Sequence, residues 1–332
     1  IMDSRNIKNK NIGLSNGIAI VKDFNKLDDD SILCLKNIEN PIRVLLNNTP
    51  QPYKLSMLND EVLAKGVTNV TLVLSSQDKV NWINLNDFQN LSLIPSIEIH
   101  NNTLDFKSID GIQNFKHLKS FSLLYRYGKD IELELLRECE QLEKLTLEEP
   151  LTKQHHDKIS KLKSVKKFNL KNLKTEYLTN ELPNAEYIEV YNLQDYLLHA
   201  KMPNLKNLRI YNSNKLADIS FLSGLNKLEW FYLYGLNKID KLPDFCNLPV
   251  LSKVSVNNMK MLTDVHSLTS ISALTNLGIR ATGLTLDTLD WLTPSNFPEL
   301  KNLFVELTNK KDTAAFYERF ADKEIVKSIM LT

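Results

Sequence analysis

The sequence predicts an α/β solenoid: an arc of stacked coils with a parallel concave β-sheet, a 3₁₀ or irregular convex side, and a cap at each end. Three observations lead there. From Leu205 onward, three lines of 23 residues follow one grammar, with starts at Leu205, Leu228, Leu251 and Leu274. Each line opens apolar-x-x-apolar-x-apolar: Leu205, Leu208 and Ile210, then Leu228, Phe231 and Leu233, then Leu251, Val254 and Val256. Each then turns apolar at every third residue, as in Leu216, Ile219, Leu222, Leu225 and Leu228. A fixed period of roughly 20 to 30 residues marks units that bury their apolar faces only by stacking on one another.

Residues 1–66 do not repeat cleanly and are read as an N-terminal cap with degenerate first coils. Gly17 to Val21 and Ile42 to Leu46 are short apolar runs between polar turns, the pattern of strands. Asn59 followed by DEVLAK and Gly66 reads as a helix with an N-cap asparagine and a C-terminal glycine. The array is assigned to residues 67–308, through starts at Val67, Ile94, Leu118, Leu142, Val165, Ala185, Leu205, Leu228, Leu251, Leu274 and Leu300. Apolar residues at the fourth and sixth positions of each coil make a strand half-buried against the core. The triplet spacing that follows suits a 3₁₀ return path, because three residues complete a 3₁₀ turn. Residues 309–332 are read as a C-terminal cap, in which Asp312 or Thr313 starts a helix carrying Phe316, Tyr317 and Phe320. Ile325, Val326, Ile329 and Met330 are expected to cover the last coil.

The bulk numbers exclude several functions. Over 332 residues, 41 Lys plus Arg stand against 40 Asp plus Glu, without the basic excess usual in nucleic-acid binders. Cys34, Cys139 and Cys246 form no C-x-x-C pair, which argues against a disulfide framework and a thiolate metal site. Cys139 falls on an apolar position and is read as a core residue. The stretch from Met2, MDSRNIKNKNIGL, lacks the apolar centre of a secretory leader, and no apolar run is long enough to span a membrane. A cytoplasmic, monomeric, non-membrane protein is expected.

On these residues the stretch from about 67 to 308 resembles the leucine-rich repeat superfamily. The lines with Asp218, Ile219, Leu222 and Leu225 are similar to its internalin-like bacterial branch. The resemblance implies a binding role for the concave sheet. One departure concerns the family's ladder asparagine: the ninth position holds Ser213, Leu236 and Met259, while asparagine stands one place earlier at Asn172, Asn192, Asn212 and Asn258.

The third, fifth and seventh positions point out of the sheet, since strand side chains alternate. Across neighbouring coils this gathers Tyr187, Glu189, Tyr191, Arg209, Tyr211, Trp230, Tyr232 and Tyr234, with six aromatics on three adjacent strands. Exposed Tyr, Trp and Arg together have the composition of a binding hot spot, although rings in cross-strand ladders can also be structural. Outward charges of both signs are expected, with Glu98, Glu148, Glu149, Glu189 and Glu306 against Lys144, Lys167, Lys171, Arg209, Lys253 and Arg280. A mixed surface suits a protein partner.

Catalytic signals are thin. His155 and His156, in KQHHDK, read as a solvated loop, and His100 near Glu98 lacks a nucleophile. No phosphate-binding, hydrolase or metalloprotease motif is present, so no cofactor or metal is expected. The expected function is non-enzymatic binding of a partner protein, with a toxin-neutralising immunity protein as one version. The alternatives are a surface adhesion protein of the internalin kind and a host-directed effector.

Overall fold

The computed structural model describes residues 10–76, 82–322 and 324–326, and divides into two compact units, Ile1–Val165 and Lys166–Thr332. The described residues of the first unit begin with a hairpin. Strand β1 (Ile12–Ser15) pairs antiparallel with β2 (Ile18–Val21). Asn16 and Gly17, both at positive φ, form the two-residue turn, which suits the twist of an antiparallel pair. Every later pairing in the unit is parallel and joins neighbours in sequence: β2 to β3 (Ile42–Leu46), then β4 (Val70–Ser76), β5 (Ser96–Asn101), β6 (Ser120–Tyr125) and β7 (Lys144–Leu147). The second unit repeats this with β8 (Lys167–Lys171), β9 (Tyr187–Tyr191), β10 (Asn207–Tyr211), β11 (Trp230–Tyr234), β12 (Lys253–Met259), β13 (Asn276–Thr282) and β14 (Asn302–Glu306). This is the α/β leucine-rich repeat solenoid expected from the period.

Inward positions make the core. Leu205, Leu208, Ile210, Leu228, Phe231 and Leu233 are all fully buried, as are Leu216, Leu222 and Leu225 on the return path. The triplet spacing is realised as 3₁₀ turns at Ile112–Asn114, Leu133–Glu138, Ser220–Gly224 and His266–Ser270. Cys139 is buried, and its thiol is pushed up to about 11 by that burial.

The displaced asparagines have a backbone explanation. Asn172, Asn192, Asn212 and Asn258 all adopt φ between 50 and 61°, and Gly235 takes the same place at 69°. The eighth residue of the coil is therefore left-handed, directly past the strand after β8 to β11 and within it on β12, a conformation that glycine and asparagine enter most readily. This residue stays tied to the sheet. The N–H groups of Asn172, Asn192 and Asn212 each donate to the next coil's seventh carbonyl at 2.8 Å, at Tyr191, Tyr211 and Tyr234 respectively. Asn192 Nδ2 also donates to Asn172 Oδ1 at 2.7 Å. At the ninth position the buried Ser213 hydroxyl accepts from the Leu193 N–H at 2.9 Å, so a shorter side chain links the coils there.

The termini depart from expectation in detail. The helix foreseen at Asn59 begins earlier, as a helix over Pro52–Met57, and continues through a π turn at Leu58–Val62 and a 3₁₀ turn to Gly66. Pro52 at the first position sets the start, because its missing N–H has no partner to lose there. Asn59 is not a cap; its Oδ1 accepts from the Leu93 N–H at 3.0 Å. The final helix (Lys310–Glu318) is capped by Asn309, which accepts from Lys311, and not by Asp312 or Thr313. Phe316 and Phe320 are buried as expected, while the Tyr317 hydroxyl donates to Leu303 and accepts from the Val305 N–H at 2.8 Å. Val326 is exposed and bridges Asn302 by backbone pairing; Ile329 and Met330 lie outside the described residues.

The left-handed eighth position gives a paired test. A Cβ on Gly235 would lie 2.5 Å from Asn212 Oδ1 as well as sitting at positive φ. Gly235→Ala is expected to destabilise by about 1–2 kcal/mol or more, whereas Ala281→Asn, at the same place with φ 49°, is expected to stabilise. Urea unfolding of both variants checks the sign. Equal or reversed effects contradict the account.

Candidate protein-binding face

The sheet face of the second unit is built rank by rank. In-register pairing sets Arg209 opposite Glu189 on one side and Tyr232 on the other, and sets Tyr211 between Tyr191 and Tyr234. Asn207 lies between Tyr187 and Trp230 in the third rank. All eight candidate residues thus stand on one face of β9, β10 and β11.

Glu189 is the centre of this group. Its Oε2 accepts from the Tyr187 hydroxyl at 3.0 Å and from Arg209 Nη1 at 3.4 Å. Its Oε1 accepts from the Tyr191 hydroxyl at 3.3 Å and from Asn169 Nδ2 at 3.4 Å. Both side chains of the ion pair are largely covered, at 14% exposed for Glu189 and 17% for Arg209. The Arg209 guanidinium also lies 4.8 Å from the Trp230 ring centre and 5.8 Å from that of Tyr187. A weakly hydrated planar cation is suited to such a place between rings.

The tyrosines form a second layer of contacts. Tyr191 and Tyr211 stack with centroids 4.6 Å apart and planes 10° from parallel. Tyr211 meets Tyr232 at 5.5 Å and Tyr234 at 6.1 Å, and Asn257 Nδ2 donates to the Tyr232 hydroxyl at 3.4 Å. Burial first, and the Glu189 charge second, push Tyr187 well above the usual phenol range and Tyr191 up to about 12. Burial likewise raises Tyr211 and Tyr232. The phenols remain protonated donors across the physiological range.

The first unit's sheet face differs in chemistry. Thr71, Ser75, Ser96, Ser120, Ser122 and Thr146 occupy outward places on β4 to β7. Arg43 reaches across the buried Val73 to grip Glu98 with two bonds, at 3.0 and 2.6 Å. His100 Nε2 lies 3.2 Å from the same carboxylate. Burial acts to raise Glu98, but hydrogen bonds from His100 and Arg43 outweigh it and hold the carboxyl below its usual range. The sequence signalled Glu98 and His100 but not Arg43, which belongs to a strand two places away.

The histidine pair requires a correction. KQHHDK is not a solvated loop but part of a helix (Lys153–Ile159), with His155 and His156 both about 1% exposed. Thr152 and His155 form a reciprocal cap: Thr152 Oγ1 accepts from the His155 N–H, and His155 Nδ1 accepts from the Thr152 N–H. Burial holds His155 below the usual imidazole range, which keeps that nitrogen an acceptor. The histidines here serve the fold. Among the described residues no group of three or more His, Cys, Asp or Glu is placed to hold a metal ion, and no helix is long and apolar enough to cross a membrane.

No family model and no curated protein matches the chain. Among solved structures it is similar to a chain of the Toll–Spatzle complex of Drosophila, at 14% identity and a TM-score of 0.48, over 90% of this chain and 48% of that one. It is also similar to a leucine-rich repeat protein of Leptospira interrogans, at 14% identity and a TM-score of 0.39, over 92% and 93%. A third is a chain of the mouse RP105/MD-1 complex, at 16% identity and a TM-score of 0.38, over 83% and 58%. The chain spans about half the length of the Toll-complex chain, 48%.

The tyrosine environment gives a pH prediction. With Tyr191 protonated up to about 12 in the folded state against 10.0 in the unfolded chain, the folded state holds more protons between those values. Stability therefore falls as pH rises through that window. Glu189→Gln removes the charge that opposes phenolate formation, so the Tyr191 midpoint drops part of the way, with burial sustaining the rest. The tyrosinate absorbance difference between each protein and its Tyr191→Phe counterpart reads this; an unmoved midpoint contradicts the assignment.

Proposed function

We propose that the chain is a non-enzymatic interaction module that holds a partner protein on the outward face of β9, β10 and β11. One observation carries this reading: six aromatic rings and Arg209 are gathered on three strands, with two of the rings and Arg209 bonded to a single carboxylate and the other rings packed on these. Large amphipathic side chains whose rotamers are already fixed lose little entropy when a partner arrives. Trp, Tyr and Arg are also the residues that dominate interface energetics.

The competing account is that the rings only brace the sheet. The neighbouring coils speak against it. On the rank of Arg209 and Tyr232, the next two strands carry Ser255 and Gly278, and β12 and β13 still pair in register with fully buried cores. The coil closes without aromatic side chains at these places, so their concentration on β9–β11 serves something beyond the fold. The internalin-like bacterial character of the lines, and an immunity protein that neutralises a toxin, belong to this proposal as its narrower form.

The test is a double variant, Trp230→Ala with Tyr211→Ala. It is expected to retain the wild-type circular dichroism and to lose capture of whichever native-lysate protein the wild type retains. Trp230→Ala alone should weaken binding of that protein by about 2 kcal/mol or more. Unchanged affinity together with a lowered melting temperature would assign the rings to structure.

A further inference from the structure

The charges around the aromatic group narrow the kind of partner. On the sheet face of the second unit the outward positions carry five basic residues, Lys167, Lys171, Arg209, Lys253 and Arg280, and two acidic ones, Glu189 and Glu306. Both carboxylates are matched by arginines, Glu189 by Arg209 at 3.4 Å and Glu306 by Arg280 at 3.2 Å. Lys167, Lys171 and Lys253 are exposed, and none forms an ion pair among the described residues. Their places are not scattered. Lys167 and Lys171 pair in register with Tyr187 and Tyr191, and Lys253 with Trp230, so the three ammonium groups flank the rings on both sides.

From this we infer that the partner segment seated on β9–β11 is acidic, with carboxylates meeting Lys167, Lys171 and Lys253 around a centre that packs on Trp230 and the tyrosines. This rests on the reading of that face as the partner site. Charge complementarity carries it: Glu189 already accepts from four donors, so it offers little to a basic partner, while the three lysines form no ion pair among the described residues. Single-stranded nucleic acid is the rival acidic ligand, and it is disfavoured by the rings themselves. Bases bind by stacking on open aromatic faces, but Tyr191 and Tyr211 are stacked on each other and one face of Trp230 lies under Arg209. The exposed ammonium groups beside these rings suit carboxylates on an extended chain.

The experiment selects phage-displayed random peptides on the full chain and counter-screens them against Trp230→Ala, with an oligouridylate titration in parallel. Peptides that need Trp230 and are enriched in Asp and Glu are the expected result. Their binding should weaken roughly tenfold or more in the Lys167→Glu, Lys171→Glu, Lys253→Glu triple variant, and fall with added salt. The lysines are exposed, so this triple variant keeps its fold, which circular dichroism verifies. Trp230-dependent peptides that are neutral or basic, or indifferent to the triple variant, overturn the acidic partner and leave the binding face standing. No Trp230-dependent peptide, or binding of oligouridylate alone, overturns both.

Discussion

The outward face of the second unit depends on how one carboxylate is satisfied. A largely covered carboxylate must be paired and hydrogen-bonded or its burial is unfavourable. Glu189 meets that requirement with four donors, two on each oxygen. Each donor is fixed in return. Tyr187 and Tyr191 are tied by their hydroxyls, and Arg209 is drawn to a place where its plane also covers Trp230. Tyr191 then fixes Tyr211 by stacking, and Tyr211 passes the constraint to Tyr232 and Tyr234. A charge inside the cluster thus organises an aromatic surface that is only partly exposed.

That arrangement needs the coils to keep register, although their lengths differ. The starts from Val165 to Leu205 are 20 residues apart and those from Leu205 to Leu274 are 23 apart, yet β8 through β11 pair third to third, fifth to fifth and seventh to seventh. The difference is absorbed on the return side, where Thr175–Tyr177, Leu198–Lys201 and Ser220–Gly224 are turns of different kinds. On β8 to β11 the left-handed eighth residue follows directly on the strand's last residue and still donates into the next coil. Length variation therefore never reaches the sheet, and outward side chains stay in ranks.

Much of this was legible in the sequence, and the reason is physical. Strand alternation and in-register stacking are both periodic, so the buried positions and the outward ranks follow from counting. The placement of Glu189 beside Arg209 came from the same count. The offset asparagines were visible as a pattern at Asn172, Asn192, Asn212 and Asn258, but the positive φ that explains them is a backbone property with no signature beyond residue type. The failures lie where the repeat gives no rule. His155 and His156 lie on the buried side of a short helix capped by Thr152, with histidine as the rare third-position partner of the capping box, so KQHHDK reads as polar loop. Asn59 and Asn309 show that several polar residues near a helix start compete for the cap, and tertiary partners such as Leu93 decide among them. The grip of Arg43 on Glu98 spans two strands and the small Val73 between, which no local pattern encodes.

The central claim is that Glu189 and Arg209 act as a coupled pair that sets the face. A double-mutant cycle with Glu189→Gln and Arg209→Met, measured by urea unfolding, isolates their interaction from the rest of each side chain. The account predicts a coupling energy of about 1–3 kcal/mol, above the range of about 0–1 kcal/mol typical of exposed surface pairs. A coupling indistinguishable from zero would contradict it, and the rings would then owe their arrangement to stacking alone.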